Sequence, residues 1–263
     1  MIQLSDADIS LLLSSLLWPL FRISGFLIVD PFFGSKAVTK RIKIILALSL
    51  TIIIAPNLPP MPAVPVVSAE GLAIIVHQLM IGIALGMIMR LIITAVEMAG
   101  MLMSAQMGLG FAMMFDPIFA AQVPSLSRFM TLLVFLLFIA LNGHLVIIST
   151  LIDSFRVLPV SIDPLPSEGF KLLAEWGAKI FSLGLWMSLP VVGALLITNI
   201  AIGVMTRAAP QFNIFSFGFP LTLGIGFIAL YLALPYFAGV TMHLYEQGAE
   251  MMISLLKVRA LKP

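Results

Sequence analysis

The sequence predicts an all-α integral membrane protein, and two properties of the chain carry that prediction. Of its 263 residues, 61% are hydrophobic and only 10% are charged, and the mean hydropathy is +1.15; soluble domains carry about 25% charged residues. The apolar runs are long and lack the regular alternation of a membrane β-strand, which favours a helical bundle over an outer-membrane barrel. We therefore expect residues 1–263 to form one membrane domain.

Apolar runs bounded by turn residues predict about six hydrophobic segments. They are expected at residues 9–29, 42–55, 71–99, 129–152, 176–206 and 218–240. The charged and apolar side chains of residues 241–263 predict an amphipathic C-terminal helix. In this organisation residues 1–100 hold the N-terminal helices, residues 101–128 a loop region, and residues 129–240 the central and C-terminal helices.

Several of these segments are poor candidates for lipid-facing helices that span the membrane alone. Residues 42–55 would form a helix of about 21 Å, which is shorter than the roughly 30 Å hydrocarbon core. The first segment holds Pro19 and Arg22, the third holds His77, Arg90 and Glu97, and Pro190 is expected to interrupt the fifth segment. Because charge in the bilayer is costly, protein or water should shelter these helices. Arg90 and Glu97 lie about two turns apart; they fit a snorkelling interfacial pair or a face that meets a partner or a wet cavity. Gly82 and Gly86 form a GxxxG spacing, which favours close helix packing.

The charges predict an orientation and exclude some partners. The densest positive cluster consists of Lys36, Lys40, Arg41 and Lys43. The positive-inside rule places this cluster in the cytoplasm and the N-terminus outside. Simple alternation would then put the C-terminal helix outside, whereas Lys257, Arg259 and Lys262 argue for the inside, so the side of the C-terminus stays open. The chain has 14 Lys and Arg against 12 Asp and Glu. This near balance of charge does not indicate a surface that binds nucleic acid. Asp6 and Asp8 argue against a cleaved signal peptide.

The sequence offers no catalytic, cofactor or metal site. It has no cysteine, its three histidines are scattered, and neither an HExxH motif nor a phosphate-binding loop occurs. No Gly-x-Ser-x-Gly elbow is present either. We expect a non-enzymatic protein, and an intramembrane hydrolase is a weak rival because it needs a paired nucleophile and base.

The stretch "MGLGFAMMFDP", residues 107–117, is apolar, yet its glycines and Pro117 cannot continue a helix. Non-helical backbone at membrane depth is tolerated where it is buried in protein or lines a cavity, and hydrophobic constrictions close pores by dewetting. We predict a deformable channel plug formed by Met107, Gly108, Leu109, Gly110, Phe111, Met113, Met114 and Phe115. In this hypothesis Phe111, Met113, Met114 and Phe115 form the seal, while Gly108 and Gly110 permit opening.

A second unusual loop is "TRAAPQFNIFSFGFPL", residues 206–221, in which aromatic side chains crowd around a helix-stopping proline. An interfacial turn with aromatic anchors is the simpler interpretation. Candidate residues for subunit contacts or structural polar roles are Arg22, Arg90, Glu97, Asp116, Arg207, Pro210, Asn213, Phe217 and Gly218.

This loop closely resembles the signature of the FliR family of the flagellar type III export gate, whose injectisome relatives are the SctT-type proteins. The stretches "RISGFLIVDPFFGSKAVTKRIKIILALSL", "MGLGFAMMFDP" and "LNGHLVIISTLIDSFRVLP" resemble the same family in the same order. The resemblance implies that one copy of this chain packs helical hairpins with several copies of FliP and FliQ. It further implies a place in the bacterial inner membrane, at the flagellar basal body, where unfolded flagellar proteins cross.

The resemblance also implies contacts with FlhB and FlhA, a cytoplasmic C-terminus, and a plug at residues 108–115 beneath the channel. Two alternatives stay open at this point. One is a secondary transporter for a small solute with helices broken at Pro190 and Pro210, and the other is the homologous injectisome gate subunit.

Overall fold

The computed structural model describes residues 6–109, 125–162, 166–209 and 217–258, and within these ranges the regular structure is helical. The helices are α1 (Asp6–Val29), α2 (Lys40–Ile54), α3 (Ala69–Gln106), α4 (Ser125–Ala140), α5 (Gly143–Val157), α6 (Ser167–Ala208) and α7 (Phe219–Lys257), with a 3-10 turn at Ala55–Asn57. The predicted all-α fold is confirmed.

Three of the described helices are long and apolar enough to cross a membrane: α3, α6 and α7, with 38, 42 and 39 residues. A span needs about 20 residues. The broken pair α4 and α5 would provide a fourth span if it counts as one. Helix α2 has 15 residues and would reach about 22 Å, so its predicted shortness is confirmed.

The fourth predicted segment, residues 129–152, is divided between two helices. Helix α4 ends at Ala140, and Asn142 adopts a left-handed backbone with φ of 57° before α5 begins at Gly143. Asparagine tolerates this conformation better than most residues with a Cβ atom. The left-handed backbone at Asn142 therefore separates α4 from α5. Hydropathy alone does not predict this break.

The expected interruption at Pro190 is wrong, because α6 continues through this residue. A proline removes one backbone hydrogen bond, and membrane helices absorb that loss through hydroxyl side chains and local adjustment. Helix α7 likewise runs unbroken through Pro235 to Lys257, whereas the sequence predicted a separate helix from residue 241.

The chain divides into two compact units, which are described separately. The first unit comprises Met1–Leu91, Asn142–Gly177 and Tyr245–Pro263, and the second comprises Ile92–Leu141 and Ala178–Leu244. Three of the boundaries fall inside α3, α6 and α7 rather than in linkers. The single domain expected from the sequence stays a prediction.

In the first unit the backbones of α1 and α3 touch at glycines. A Cβ atom at Gly82 would lie 2.1 Å from the Arg22 carbonyl oxygen, and one at Gly25 would lie 2.6 Å from the Leu79 carbonyl oxygen. At Gly86 the corresponding distance to the Phe26 oxygen is 2.7 Å. The GxxxG spacing thus serves close packing within the chain, as the sequence favoured.

Candidate functional site

The base of the predicted plug is a helix end built around Gly108 in the second unit. The Leu109 amide donates to the Ser104 carbonyl at 3.1 Å, and the Gly108 amide donates to the Ala105 carbonyl at 3.1 Å. This pair of bonds is a Schellman motif, which requires a left-handed residue after the helix. Gly108 supplies it with φ of 81°. The sequence therefore stops α3 at this point and turns the chain away from the helix axis.

Met107 anchors this helix end on α7. Its side chain is fully buried and lies on the backbone of Gly226, where an added Cβ would be 2.5 Å from the Met107 Cγ atom. The Thr222 hydroxyl lies 3.3 Å from the Met107 carbonyl oxygen and 3.0 Å from the Phe219 carbonyl oxygen. Thr222 and Gly226 are one helical turn apart, so both contacts come from one face of α7.

Helix α6 adds a polar contact near the same helix end. The Asn199 side chain donates from Nδ2 to the Gln106 Oε1 atom at 3.4 Å. The end of α3, from which the plug segment continues beyond Leu109, is therefore held by contacts with both α6 and α7. Sequence reasoning missed Asn199, Thr222 and Gly226 as parts of this site. Two sequence features could have indicated this site: Asn199 is an amide in an otherwise apolar helix, and Thr222 lies one turn before Gly226.

An apolar cavity of about 480 Å³ lies beside the two ends of the segment at residues 110–124. Its walls come from Leu109, Ser125, Leu126, Phe129, Phe227, Leu230, Tyr231 and Leu234. Leu109 is where the described chain stops and Ser125 is where it resumes. The surface around both ends of the plug segment is therefore apolar.

The described structure contains only part of the predicted plug. Met107 is an internal anchor with no exposed surface, Gly108 is the turn residue, and Leu109 is half-buried at the cavity. The other predicted plug residues lie outside the described residues: Gly110, Phe111, Met113, Met114 and Phe115.

Arg22 is the centre of a second polar site, in the first unit. Its side chain is 0% exposed, and its Nε atom donates to Gln78 Oε1 at 2.7 Å. The Nη1 atom donates to the Ser154 carbonyl at 2.9 Å and to the Ser154 hydroxyl at 3.2 Å. The Nη2 atom donates to the Leu158 carbonyl at 2.9 Å. One guanidinium thereby joins α1, α3 and the end of α5.

The charge of Arg22 is stabilised by dipoles rather than by an acid. The ion pairs of Arg156 with Asp153 and of Lys171 with Glu175 lie elsewhere in the chain. None of the four acceptors of Arg22 is a carboxylate, and two of them, the Ser154 and Leu158 carbonyls, lie at the C-terminal end of α5, where the helix dipole favours a cation. The Phe155 ring centroid lies 4.2 Å from the Arg22 Cζ atom, within cation–π range. Of the two roles predicted for Arg22, its position in the single chain fits the structural polar one.

Asp30 is a buried acid that sequence reasoning did not single out. Its Oδ1 atom accepts the amides of Phe32 at 2.9 Å and Phe33 at 2.8 Å. Its Oδ2 atom is buried and has no hydrogen-bond partner in the described part of the chain. Burial raises the pKa of Asp30 to about 7, and the two amides act in the opposite direction. The aspartate that directly precedes Pro31 was the visible signal, because such residues cap tight turns.

The remaining predicted residues are spread over the chain. Arg90 and Arg207 are exposed, Glu97 is half-buried, Phe217 is 44% exposed and Gly218 is buried. The Ser127 hydroxyl donates to the Glu97 backbone carbonyl at 2.9 Å, which ties α4 to α3. Asp116, Pro210 and Asn213 lie outside the described residues. Within the described ranges, no group of three or more His, Cys, Asp or Glu side chains could hold a metal ion.

The long apolar helices, the buried charge held by protein dipoles and the glycine-mediated packing define an all-α integral membrane protein. The family model described as "Bacterial export proteins, family 1" matches residues 13–248. The chain belongs to this family, to which its FliR-like motifs had pointed.

Three similar relatives carry the same name. Flagellar biosynthetic protein FliR of Pectobacterium carotovorum subsp. carotovorum is 38% identical over 256 residues, which cover 97% of this chain and 98% of the relative. FliR of Escherichia coli (strain K12) is 40% identical over 239 residues, covering 91% of each chain. FliR of Bacillus subtilis (strain 168) is 28% identical over 239 residues, covering 89% of this chain and 92% of the relative. The resemblance to FliR is thereby confirmed.

Proposed function

We propose that this chain is a non-enzymatic core subunit of a flagellar type III protein export gate. In this proposal it forms, with FliP and FliQ, the channel through which unfolded flagellar proteins cross the bacterial inner membrane at the basal body. FlhB and FlhA are the further partners. Support comes from the export family, from relatives named for flagellar biosynthesis, and from the long apolar helices.

The anchored base at Met107 is the single observation that carries the plug part of the proposal. A plug must be fixed at its root and apolar at its tip. The root is fixed, because Gly226 packs on the Met107 side chain and the Thr222 hydroxyl lies near its carbonyl. The sequence beyond Gly108 is apolar up to Phe115. We propose that residues 107–117 close the channel at rest by excluding water.

The exposed apolar faces of α6 and α7 support membership of an assembly within the membrane. Ile197 is 71% exposed on α6, and Tyr231 and Leu232 are 73% and 72% exposed on α7. Such faces need either lipid or the apolar helices of a partner. The exposed Arg207 near the end of α6 is proposed, with Arg90 and Glu97, for contacts between subunits.

The transporter alternative loses one of the two helix breaks on which it relied. Helix α6 is continuous through Pro190, and the other expected break, at Pro210, lies outside the described residues. The injectisome alternative is less favoured, because the relatives described above carry flagellar names.

The assembly is tested by co-expressing the tagged chain with FliP and FliQ, purifying the product in mild detergent, and measuring its native mass. We expect a large particle that contains one copy of this chain and several copies of the two small proteins. A stable monomer or homodimer from the same co-expression would contradict the proposed gate.

The plug is tested by replacing residues 108–115 with a Gly/Ser linker of equal length in the assembled complex. We expect ion leak across the membrane to increase, because the apolar constriction is lost. The matched control replaces residues 58–65, a connection of the same length in the first unit. Unchanged conductance in the first variant, with normal assembly, would remove the plug role and leave the gate proposal standing.

A further inference from the structure

Helix α2 begins with a group of cations that have no counter-ion in the described structure. Lys36, Lys40 and Arg41 are all exposed, and the described ion pairs of the chain lie elsewhere. Lys43 is not counted in this group, because its ammonium donates a hydrogen bond to the Gly34 carbonyl at 2.6 Å. Lys40 and Arg41 are the first two residues of the helix, and Lys36 precedes its start by four residues; we name these three residues the cationic end.

The sequence around the cationic end lacks acids altogether. No Asp or Glu occurs between Asp30 and Glu70. Asp30 itself is buried, with its Oδ1 atom bonded to two amides of its own turn. A surface with this charge pattern attracts a ligand that carries a phosphate or another anion.

Beyond the cationic end, α2 presents a surface of aliphatic side chains. Only a narrow stripe faces the rest of the protein: Ala47, Thr51 and Ile54 are its buried residues. The large exposed side chains are Ile42, Ile44, Ile45, Leu48, Ile52 and Ile53, all between 43% and 69% exposed. We name this surface the aliphatic face; it adjoins the cationic end along the same helix.

The composition of the aliphatic face favours lipid chains over a protein partner. Protein interfaces are enriched in aromatic side chains, methionine and arginine, and their central residues pack as anchors in pockets. From Ile44 to Ile54 the helix has no aromatic, methionine or charged residue. The distance from Arg41 to Ile52 along a helix is roughly 16 Å, close to the roughly 15 Å depth of one leaflet's hydrocarbon.

We infer that α2 binds an anionic phospholipid of the bilayer, with the phosphate at Lys36, Lys40 and Arg41 and the acyl chains along the aliphatic face. The cations come first along the chain and the aliphatic side chains follow them. An anionic lipid has the same arrangement, with the charged headgroup at one end and the acyl chains beyond it. This site does not depend on the proposed export role, because it requires only a membrane.

The test uses the purified full-length chain in neutral detergent, with phosphatidylglycerol as the probe and phosphatidylcholine as its zwitterionic counterpart. Native mass spectrometry counts the retained lipid at increasing lipid concentration. We expect wild type to retain phosphatidylglycerol in preference to phosphatidylcholine. The triple variant K36Q/K40Q/R41Q should bind phosphatidylglycerol up to about 100-fold more weakly, since each cation near an anionic headgroup contributes roughly fivefold.

The matched control is K171Q/K179Q/K257Q, which removes the same net charge from α6 and α7. It should bind as wild type does. Added salt should weaken the wild-type preference for phosphatidylglycerol, because the headgroup contact is screened. Equal retention of the two lipids by wild type, or equal loss in the triple variant and the control, would overturn the site. Repeating the measurement on the co-expressed complex tests the same surface in the assembly; loss of wild-type binding there would assign the surface to a protein partner instead.

Discussion

Replacing Gly226 with alanine should displace the base of the plug, and the structure provides a matched control two residues away. A Cβ at Gly226 would lie 2.5, 2.9 and 3.0 Å from the Cγ, Cε and Sδ atoms of Met107. At Gly224 an added Cβ meets no heavy atom within 4 Å. Both glycines lie in α7, so Gly226→Ala and Gly224→Ala share their effect on the helix and differ in their effect on Met107.

The magnitude follows from these contacts. Each substitution favours the helix by up to about 1 kcal/mol. Only Gly226→Ala overpacks its surroundings, which costs about 1–3 kcal/mol, with the flexibility of methionine favouring the lower part of that range. The difference between the two variants should be about 1–3 kcal/mol. Since 1.4 kcal/mol is a factor of ten, the docked position of Met107 should be roughly 5- to 150-fold less favoured in Gly226→Ala.

The assay is ion leak through the assembled complex in a planar bilayer, with thermal unfolding of the same preparations as a check on folding. We expect a higher leak for Gly226→Ala than for Gly224→Ala or wild type. Adding Met107→Ala to Gly226→Ala removes the clash, so its effect on unfolding should be less than additive. The same leak in both single variants, or a rise in neither, would refute the idea that Met107 positions the plug.

Two further predictions concern the buried polar residues of the first unit. Arg22→Met should lower the yield and the thermal stability of the chain strongly, because each buried carbonyl left unpaired costs about 1–3 kcal/mol. Arg156→Met removes an exposed ion pair and should change stability by under about 1 kcal/mol; equal effects would contradict the role of the Arg22 network. For Asp30, the pKa in the folded chain is about 7, above the ordinary value of 3.8. Between these two pH values the unfolded chain has released the proton of Asp30 and the folded chain still holds it, so the free energy of unfolding falls as pH rises. Asp30→Asn should flatten the dependence of unfolding temperature on pH over this range, whereas Asp153→Asn, at an exposed position, should leave it intact; an unchanged slope in Asp30→Asn would assign the dependence to other groups.

Local chemistry made some features of this fold predictable. The helical class follows from hydropathy, and the end of α3 follows from Gly108, whose lack of a Cβ permits the left-handed turn. The short length of α2 also follows from the sequence, because its apolar run is bounded by the basic cluster and a Pro-rich connection. Each of these features is decided by neighbours along the chain.

The partners of the key residues could not be predicted in the same way. Met107 lies against Gly226 and near Thr222, more than 100 positions later in the chain, and only the packing of α3 and α7 decides that contact. Arg22 was recognised as costly in a membrane, but the sequence does not reveal that α5 ends where its guanidinium needs acceptors. The predicted helix break at Pro190 was wrong for a related reason, because the tertiary surroundings in a membrane decide whether a proline breaks a helix.

The Arg22 network also constrains how the chain is made. Its acceptors lie 56, 132 and 136 positions further along the sequence. At about 5–20 residues per second of synthesis, the last acceptor emerges roughly 7–27 s after Arg22 itself. During that interval α1 carries a cation whose final hydrogen bonds do not yet exist, so it cannot take up its native place among the other helices. The Arg22 network is therefore complete only when the end of α5 has been made, and a helper that shelters α1 until then would act on this one residue.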